Sequence, residues 1–325
     1  MRRPLAARRR VAACLAVAAA VATACGGVEE LGPTPQLSGE PAPTSRLARI
    51  HVVVQPPGTF TGDEPALDIS AVFAQYRGFD ETAARARLDL RPLPQSRLRP
   101  GQCVASDQLL AADEAGSKDS GSKDSGSKDS LSARELLLLD AGNLSVRLGE
   151  ATVDVPLTLL PDLVPTVSGV SYSQISDFLP AGAWPTAEPA PTELAIRVGG
   201  EGDDLPGFTL QPPLPEPVAL AGEADPERRE LRLDWRPDGR GEPVVLRFIS
   251  LIGGETVGDE VTCLADDDGS FRVDVDELRV HGLAVDVGRA LRISATRAAR
   301  VPFDVGEFTG ADAIVETRTY LVLGT

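Results

Sequence analysis

Arg49-Ile50-His51-Val52-Val53-Val54-Gln55-Pro56-Pro57-Gly58 decides the fold class of this chain. Ile50, Val52 and Val54 alternate with His51 and Val53, the period of two expected of a strand with one face turned to a core. Pro56-Pro57-Gly58 then ends the run with turn chemistry. The same grammar recurs downstream. Ile69 to Tyr76 is rich in branched and aromatic residues, and Ala86, Leu88 and Leu90 alternate with Arg87, Asp89 and Arg91 as in a half-buried strand. Leu144 to Leu148 and Val153 to Leu159 read alike. Ser132 with Glu135 forms a capping-box pattern, but the apolar run behind it is short for a stable helix and reads as a strand. Beyond the proline-rich stretch Pro212 to Pro217, strand signals fall at Val218 to Leu220, Leu231 to Trp235, Val244 to Leu251, Val261 to Leu264, Phe271 to Val275, Ala290 to Ala295 and Ala313 to Leu323. Short strands at this spacing predict a β-sandwich. The expectation is an all-β protein with two antiparallel β-sandwich domains, 46–213 and 214–325, divided at the proline-rich stretch.

Ahead of the first strand the chain has a different character. Arg2, Arg3, Arg8, Arg9 and Arg10 form a basic region, followed by the uncharged, alanine-rich run Val11 to Val21, which has the length of a secretory signal and is too short to span a bilayer. The closing residues Ala22-Thr23-Ala24-Cys25 resemble the lipobox of bacterial lipoproteins, with Ala22 where that family more often has Leu. The resemblance implies that residues 1–24 are a lipoprotein signal peptide. It also implies that Cys25 becomes the acylated first residue of the mature chain. An ordinary cleaved signal that carries a cysteine is the other reading. Residues 25–45 are rich in proline and glycine and read as a disordered tether, able to reach some tens of ångströms at about 3.1 Å per residue. Gly26 and Gly27 offer no acidic retention signal, so the resemblance points to the outer membrane more than the inner one.

Charge and cysteine content narrow the partners. The formal net charge of −16 argues against nucleic acid or anionic lipid as a ligand, since both are polyanions. Removing residues 1–24, with five arginines and no acid, makes the remainder more acidic still. Cys14 would leave with the signal and Cys25 would carry lipid, leaving Cys103 and Cys263 as the candidate disulfide. In an oxidising compartment a bond between them is the favoured reading, and two buried thiols are the alternative. Three copies of Gly-Ser-Lys-Asp-Ser at 116–130 are neutral and devoid of apolar side chains, and predict a disordered surface loop.

Leu231-Arg232-Leu233-Asp234-Trp235-Arg236-Pro237 resembles the second strand of fibronectin type III domains, where alternating apolar residues lead to a core tryptophan. That likeness implies an immunoglobulin-like sandwich for 214–325, although Val244 to Leu251 lacks the tyrosine the family usually places on its next strand. The layout of the whole chain is similar to lipoproteins of unassigned function from bacteria with GC-rich genomes, a likeness that brings no activity with it.

Asp266-Asp267-Asp268-Gly269 is the sharpest candidate for chemistry. A DxDxDG calcium loop ending at Gly269 would need an acid where Leu264 stands, so the tetrad reads as a hairpin turn. Asp266 and Asp268 remain the residues a metal would use. Asp203, Asp204 and Gly207 read as a solvated connection. Gly169-Val170-Ser171-Tyr172-Ser173 lacks the second glycine of a nucleophile elbow. His51 and His281 read as structural or surface histidines, and no HExxH, CxxC, P-loop or GxGxxG occurs. Tyr172, Phe178 and Trp184 could stack on sugars or protein, or pack within a core. The functional expectation is a lipid-anchored envelope protein with a binding or structural role. It is not an enzyme, takes no cofactor, is joined to the membrane through its N-terminal lipid, and has an envelope protein or glycan as partner. The alternative is a hydrolase acting on envelope polymers, which would require converging carboxylates.

Overall fold

The computed structural model describes residues 43–58, 65–90, 92–109, 135–160, 168–178, 193–200, 205–225, 227–284, 289–308 and 310–324. They belong to one compact unit, Pro41–Thr325. Cys25, the tether up to residue 42, the repeat at 116–130, Trp184, Asp203 and Asp204 lie outside the described residues.

The first half contributes β1 (Ser45–Gln55), β2 (Ala66–Arg77), helix α1 (Glu81–Arg87), a 3-10 turn (Pro94–Ser96), β3 (Cys103–Ala105), β4 (Glu135–Leu138), β5 (Leu144–Leu148), β6 (Ala151–Val155), β7 (Leu157–Leu160), β8 (Ser168–Phe178), β9 (Leu194–Val198) and β10 (Phe208–Leu210). The second half contributes β11 (Ala221–Asp225), β12 (Glu230–Asp234), β13 (Val244–Ile252), β14 (Glu255–Ala265), β15 (Ser270–Asp274), α2 (Val275–Val280), β16 (Ala290–Pro302) and β17 (Asp312–Gly324).

The class is all-β, and the architecture is two sandwiches that share one sheet. A ten-stranded sheet runs in the order β3-β14-β13-β16-β17-β1-β2-β4-β8-β7, a four-stranded sheet is ordered β10-β9-β5-β6, and a three-stranded sheet is ordered β11-β12-β15. Pairing is antiparallel except for β1 with β17 and β4 with β8. The four-stranded sheet closes one core, in which Ile50, Val52, Val54, Phe73 and Val315 meet Val146 and Ile196. Phe73 stands edge-on to Tyr172 and Phe308, ring centroids 6.2 Å away in both cases, an arrangement that stabilises by about 0.5–1.5 kcal/mol per pair beyond area burial. The three-stranded sheet closes the second core, where Leu231, Leu233 and Trp235 meet Phe248, Cys263 and Ile293. The apolar alternation that ends at Trp235 therefore does face a core.

The division expected at 213/214 is the passage between the two cores but not a break in the sheet. β1 lies beside β17 with Ile50 opposite Ala313 and Val54 opposite Thr317, so strands from both halves form one continuous layer. The proline-rich stretch is held against that layer. Arg297 donates to the carbonyls of Glu216 (3.1 Å) and Pro217 (3.4 Å), the Thr317 hydroxyl to that of Pro215 (2.8 Å), and the Thr319 hydroxyl to that of Val218 (2.7 Å). These side-chain bonds explain why Val218 to Leu220 is not a strand although Val218 is fully buried. Pairing resumes only at Ala221.

Three other expectations change. Ala86 to Leu90 belongs to a helical turn and its exit, because Asp80 caps the backbone N–H of Ala83 (2.7 Å) and Glu81-Thr82-Ala83-Ala84-Arg85 is good helix-forming sequence behind such a cap. Pro156 splits Val153 to Leu159, sending β6 to the four-stranded sheet and β7 to the edge of the large one. The strand sequence also begins at Ser45, inside the expected tether.

Candidate binding face

The acidic tetrad sits at the seam between the cores. It joins β14 of the large sheet to β15 of the small one, strands that do not pair, so it is a turn between layers and not a hairpin. Gly269 takes φ +98, and a Cβ there would lie 2.9 Å from the Trp235 carbonyl oxygen. Asp267 points inward. It accepts bonds from Arg297 Nε (3.1 Å) and Nη2 (2.8 Å), Trp235 Nε1 (2.7 Å) and the backbone N–H of Asp238 (3.1 Å). Both side chains of the ion pair are almost wholly inaccessible, 1% exposed for Arg297 and 0% for Asp267. Burial pushes the Asp267 carboxyl up, but the Arg297 hydrogen bonds and the further donors outweigh it and hold the group below its ordinary value. Asp268 instead accepts the Ser270 backbone N–H at the surface (3.0 Å). Among the described residues no three His, Cys, Asp or Glu side chains gather as metal ligands, and Asp266 and Asp268 are not brought together on one.

The opposite face of the ten-stranded sheet is covered only at its flanks. Leu47, Tyr76, Leu136 and Leu138 pack with Ala84 of α1, while Val245 and Leu264 pack with Leu98. Between these covers runs a lane of charge. Arg49 grips Asp312 with two parallel bonds, Nε to Oδ1 at 2.8 Å and Nη2 to Oδ2 at 3.0 Å, and Arg300 Nε adds a third at 2.8 Å. Further along, Arg318 Nη2 donates to Glu316 Oε2 (2.9 Å), and His51 Nε2 lies 3.3 Å from Glu316 Oε1. Burial opposes the Glu316 carboxylate, yet the proximity of His51 and then the charges of Arg318 and Arg247 bring its pKa down from 4.5 to about 2.

Two cavities open on this lane. The larger, of about 1020 Å³, lies between the α1 segment and the sheet and is lined by Arg49, Arg85, Gln95, Arg97, Glu242 and Arg300 among others. Arg85 is fixed by Glu81 Oε1 (2.7 Å) and the Gly310 carbonyl (2.7 Å), which leaves its Nη1 buried without a partner. Gln95 Oε1 is also buried and unbonded. A donor and an acceptor thus stand unused in one groove, and unsatisfied buried polar atoms are costly. The smaller cavity, about 220 Å³, lies over β13, β16 and β17.

The remaining sequence candidates fall elsewhere. Cys103 and Cys263 are opposed across the β3–β14 pair and joined, S–S 2.00 Å and Cα–Cα 4.0 Å. Ser171 and Ser173 lie within extended β8, without the strand-to-helix turn of a nucleophile elbow. Tyr172 is a core residue whose hydroxyl donates to Asp140 Oδ1 and accepts from the Ala141 N–H, both at 2.7 Å. Phe178 ends β8. His281 follows α2 as its C-cap. The arginines of the lane went unread because in sequence each is only the polar partner of an apolar residue. The signal available was Arg247 standing between Leu246 and Phe248 and Arg292 between Leu291 and Ile293, each a charge inside an apolar run.

No protein-family model matches the chain, and no curated protein matches it. Among solved structures the chain is similar to the yeast delta-COP-I mu-homology domain complexed with a Dsl1 WxWxV peptide, at 7% identity and a TM-score of 0.24, covering 84% of this chain and 95% of that one. It is also similar to the Fcho1 mu homology domain of Danio rerio with a bound Eps15 peptide, at 10% identity and a TM-score of 0.22, covering 86% and 96%.

Proposed function

We propose that this chain is a lipid-anchored protein of the cell envelope that binds an envelope protein or glycan, and that the groove beside α1 is its binding face. The observation that carries the binding role is the pair of unsatisfied groups in that groove, the Arg85 Nη1 donor and the Gln95 Oε1 acceptor. A peptide backbone or a sugar hydroxyl supplies both complements, and a partner that does so recovers the cost of leaving them buried and unbonded. The anchor reading rests on Ala22 to Cys25 and its lipobox resemblance. Two acids at the groove are committed to arginines, Glu81 to Arg85 at 2.7 Å and Asp312 to Arg49 and Arg300. Carboxylates held in this way suit a binding surface better than the hydrolase alternative, which needs a carboxylate poised to exchange protons with substrate.

One experiment on intact cells tests both parts. A photo-crosslinking side chain at Thr82, in the groove, is expected to capture a defined envelope component, whereas the same group at Arg272, exposed on β15, is not. Equal capture from both positions, or none from Thr82, would reject the groove. Cys25→Ser is expected to move the protein from the membrane to the soluble fraction, and unchanged partition would reject the anchor.

A further inference from the structure

The groove beside α1, taken as the binding face, has a wall that discriminates between a peptide and a sugar. Its guanidinium groups are already engaged. Arg49 and Arg300 close on Asp312, and Arg85 closes on Glu81. Arg97 donates to the Leu109 carbonyl, and Arg87 lies 5.1 Å over the centre of the Phe79 ring. The wall therefore does not call for a negatively charged occupant. What it leaves unmade is one donor, Arg85 Nη1, and one acceptor, Gln95 Oε1, both buried.

Much of the remaining lining is aliphatic. Ala83 and Ala86 of α1, Leu90 and Leu93 beyond it, and Ala298 and Ile314 of the sheet border the space, and none of the described lining residues is aromatic. A sugar ring packs its flat apolar face on an aromatic ring, which this wall lacks. Aliphatic side chains of a peptide gain by leaving water against alanine and leucine. The volume of about 1020 Å³ stands at the top of the roughly 300–1,000 Å³ usual for a small-molecule pocket, and it suits a length of chain.

We infer that the groove takes an extended, uncharged segment of a partner protein. A backbone carbonyl of that segment accepts from Arg85 Nη1, a backbone N–H donates to Gln95 Oε1, and small aliphatic side chains lie against the alanines and leucines. An extended chain has one donor and one acceptor per residue, both obliged to find partners when water is excluded. It meets the two unused groups without bringing a charge. This inference rests on the reading of the groove as the binding face and adds the chemistry of what enters it.

The purified full chain in detergent, panned against a random library of short linear peptides and against an array of bacterial polysaccharides, tests it. The wild type is expected to enrich peptides with uncharged aliphatic centres and to retain no glycan. Gln95→Met and Arg85→Lys should each weaken a resynthesised peptide by ~10-fold or more, with the melting temperature kept within a few degrees. N-methylation of one backbone amide of that peptide should cost the wild type ~10-fold but Gln95→Met less than ~2-fold, because the variant has no acceptor left to orphan. That coupling is read on Gln95 alone and stands even where an arginine variant fails to fold. No enriched peptide, equal binding by both variants, or an N-methyl penalty unchanged in Gln95→Met would overturn the inference. A glycan retained with the same dependence on Arg85 and Gln95 would overturn the peptide and leave the groove as the binding face, whereas absence of capture from Thr82 on cells would remove the groove itself.

Discussion

The two faces of the ten-stranded sheet both carry buried residues along β1 and β17, and these are held by opposite means. On one, Ile50, Val52 and Val54 of β1 and Ala313 and Val315 of β17 enter the first core, fully excluded from water. On the other, the alternate residues of the same strands are Arg49 and His51 against Asp312 and Glu316, and the two acids are almost as inaccessible as the valines. The apolar face gains by removing area from water at about 25 cal/mol per Å². The polar face must instead satisfy every charge, because a buried ion left alone costs several kcal/mol. Strand alternation is thus a reading of chemistry, not of exposure. The face where hydrogen bonding is incomplete, at Arg85 Nη1 and Gln95 Oε1, is where a ligand has something to add.

The largest effect is expected where a charge pair intrudes on the apolar face. Asp267→Ala leaves Arg297 buried without its carboxylate, and it should destabilise by about 3–5 kcal/mol in chemical denaturation. A loss below about 1 kcal/mol would show that Arg297 is adequately satisfied by the carbonyls of Arg236, Glu216 and Pro217 together with the Asp238 carboxylate 3.9 Å away.

The next expectation concerns how the outer cover is fastened. The Cys103–Cys263 bond ties the segment behind Leu98 to the edge of the sheet, across a sequence separation of 160. Replacing both cysteines with alanine should cost about 2–4 kcal/mol in the loop-entropy account and speed hydrogen exchange of Cys103–Ala105 before that of β16. Uniform exchange across both strands would mean that the bond stabilises the whole and not the cover.

A smaller, pH-dependent effect should mark the charged lane. The Glu316 carboxyl is depressed in the fold, so its contribution is fully present above pH about 4.5 and is lost as pH falls toward about 2. Glu316→Gln should therefore lower stability by about 1–3 kcal/mol at pH 6 and flatten the decline between pH 5 and 2. An acid limb identical in the variant would show that the lane contributes no net stability. In that event the contrast between the two faces reduces to the apolar side.

Much of the fold was legible in single strands. The alternation in Ile50 to Val54, Leu144 to Leu148 and Leu231 to Trp235 each marks a strand with the expected side inward. Ala86 to Leu90 misled because an alternating pattern over five residues is also met by one helical turn and its exit, and the Asp80 cap decides between them. Val218 to Leu220 misled because a buried apolar residue can be held by side-chain bonds, here from Thr319, in place of a ladder. Of the candidate site little was readable. The arginines of its groove come from β1, α1, the segment after the 3-10 turn and β16, far apart in sequence, and the one inward-facing acid of the tetrad, Asp267, is distinguished from Asp266 and Asp268 only by what surrounds it.

The sequence by itself determined the all-β class, the apolar side of most strands and the turn at Gly269, because each depends on local periodicity or backbone conformation. The tertiary structure decided that the strands of both halves share one sheet, that Arg297 clamps the proline-rich passage between the cores, and that Arg247, Arg292 and Arg318 meet in one cavity. Those outcomes depend on which strands become neighbours. Neighbour choice is set by the packing of side chains distant in sequence, which a period of two cannot encode.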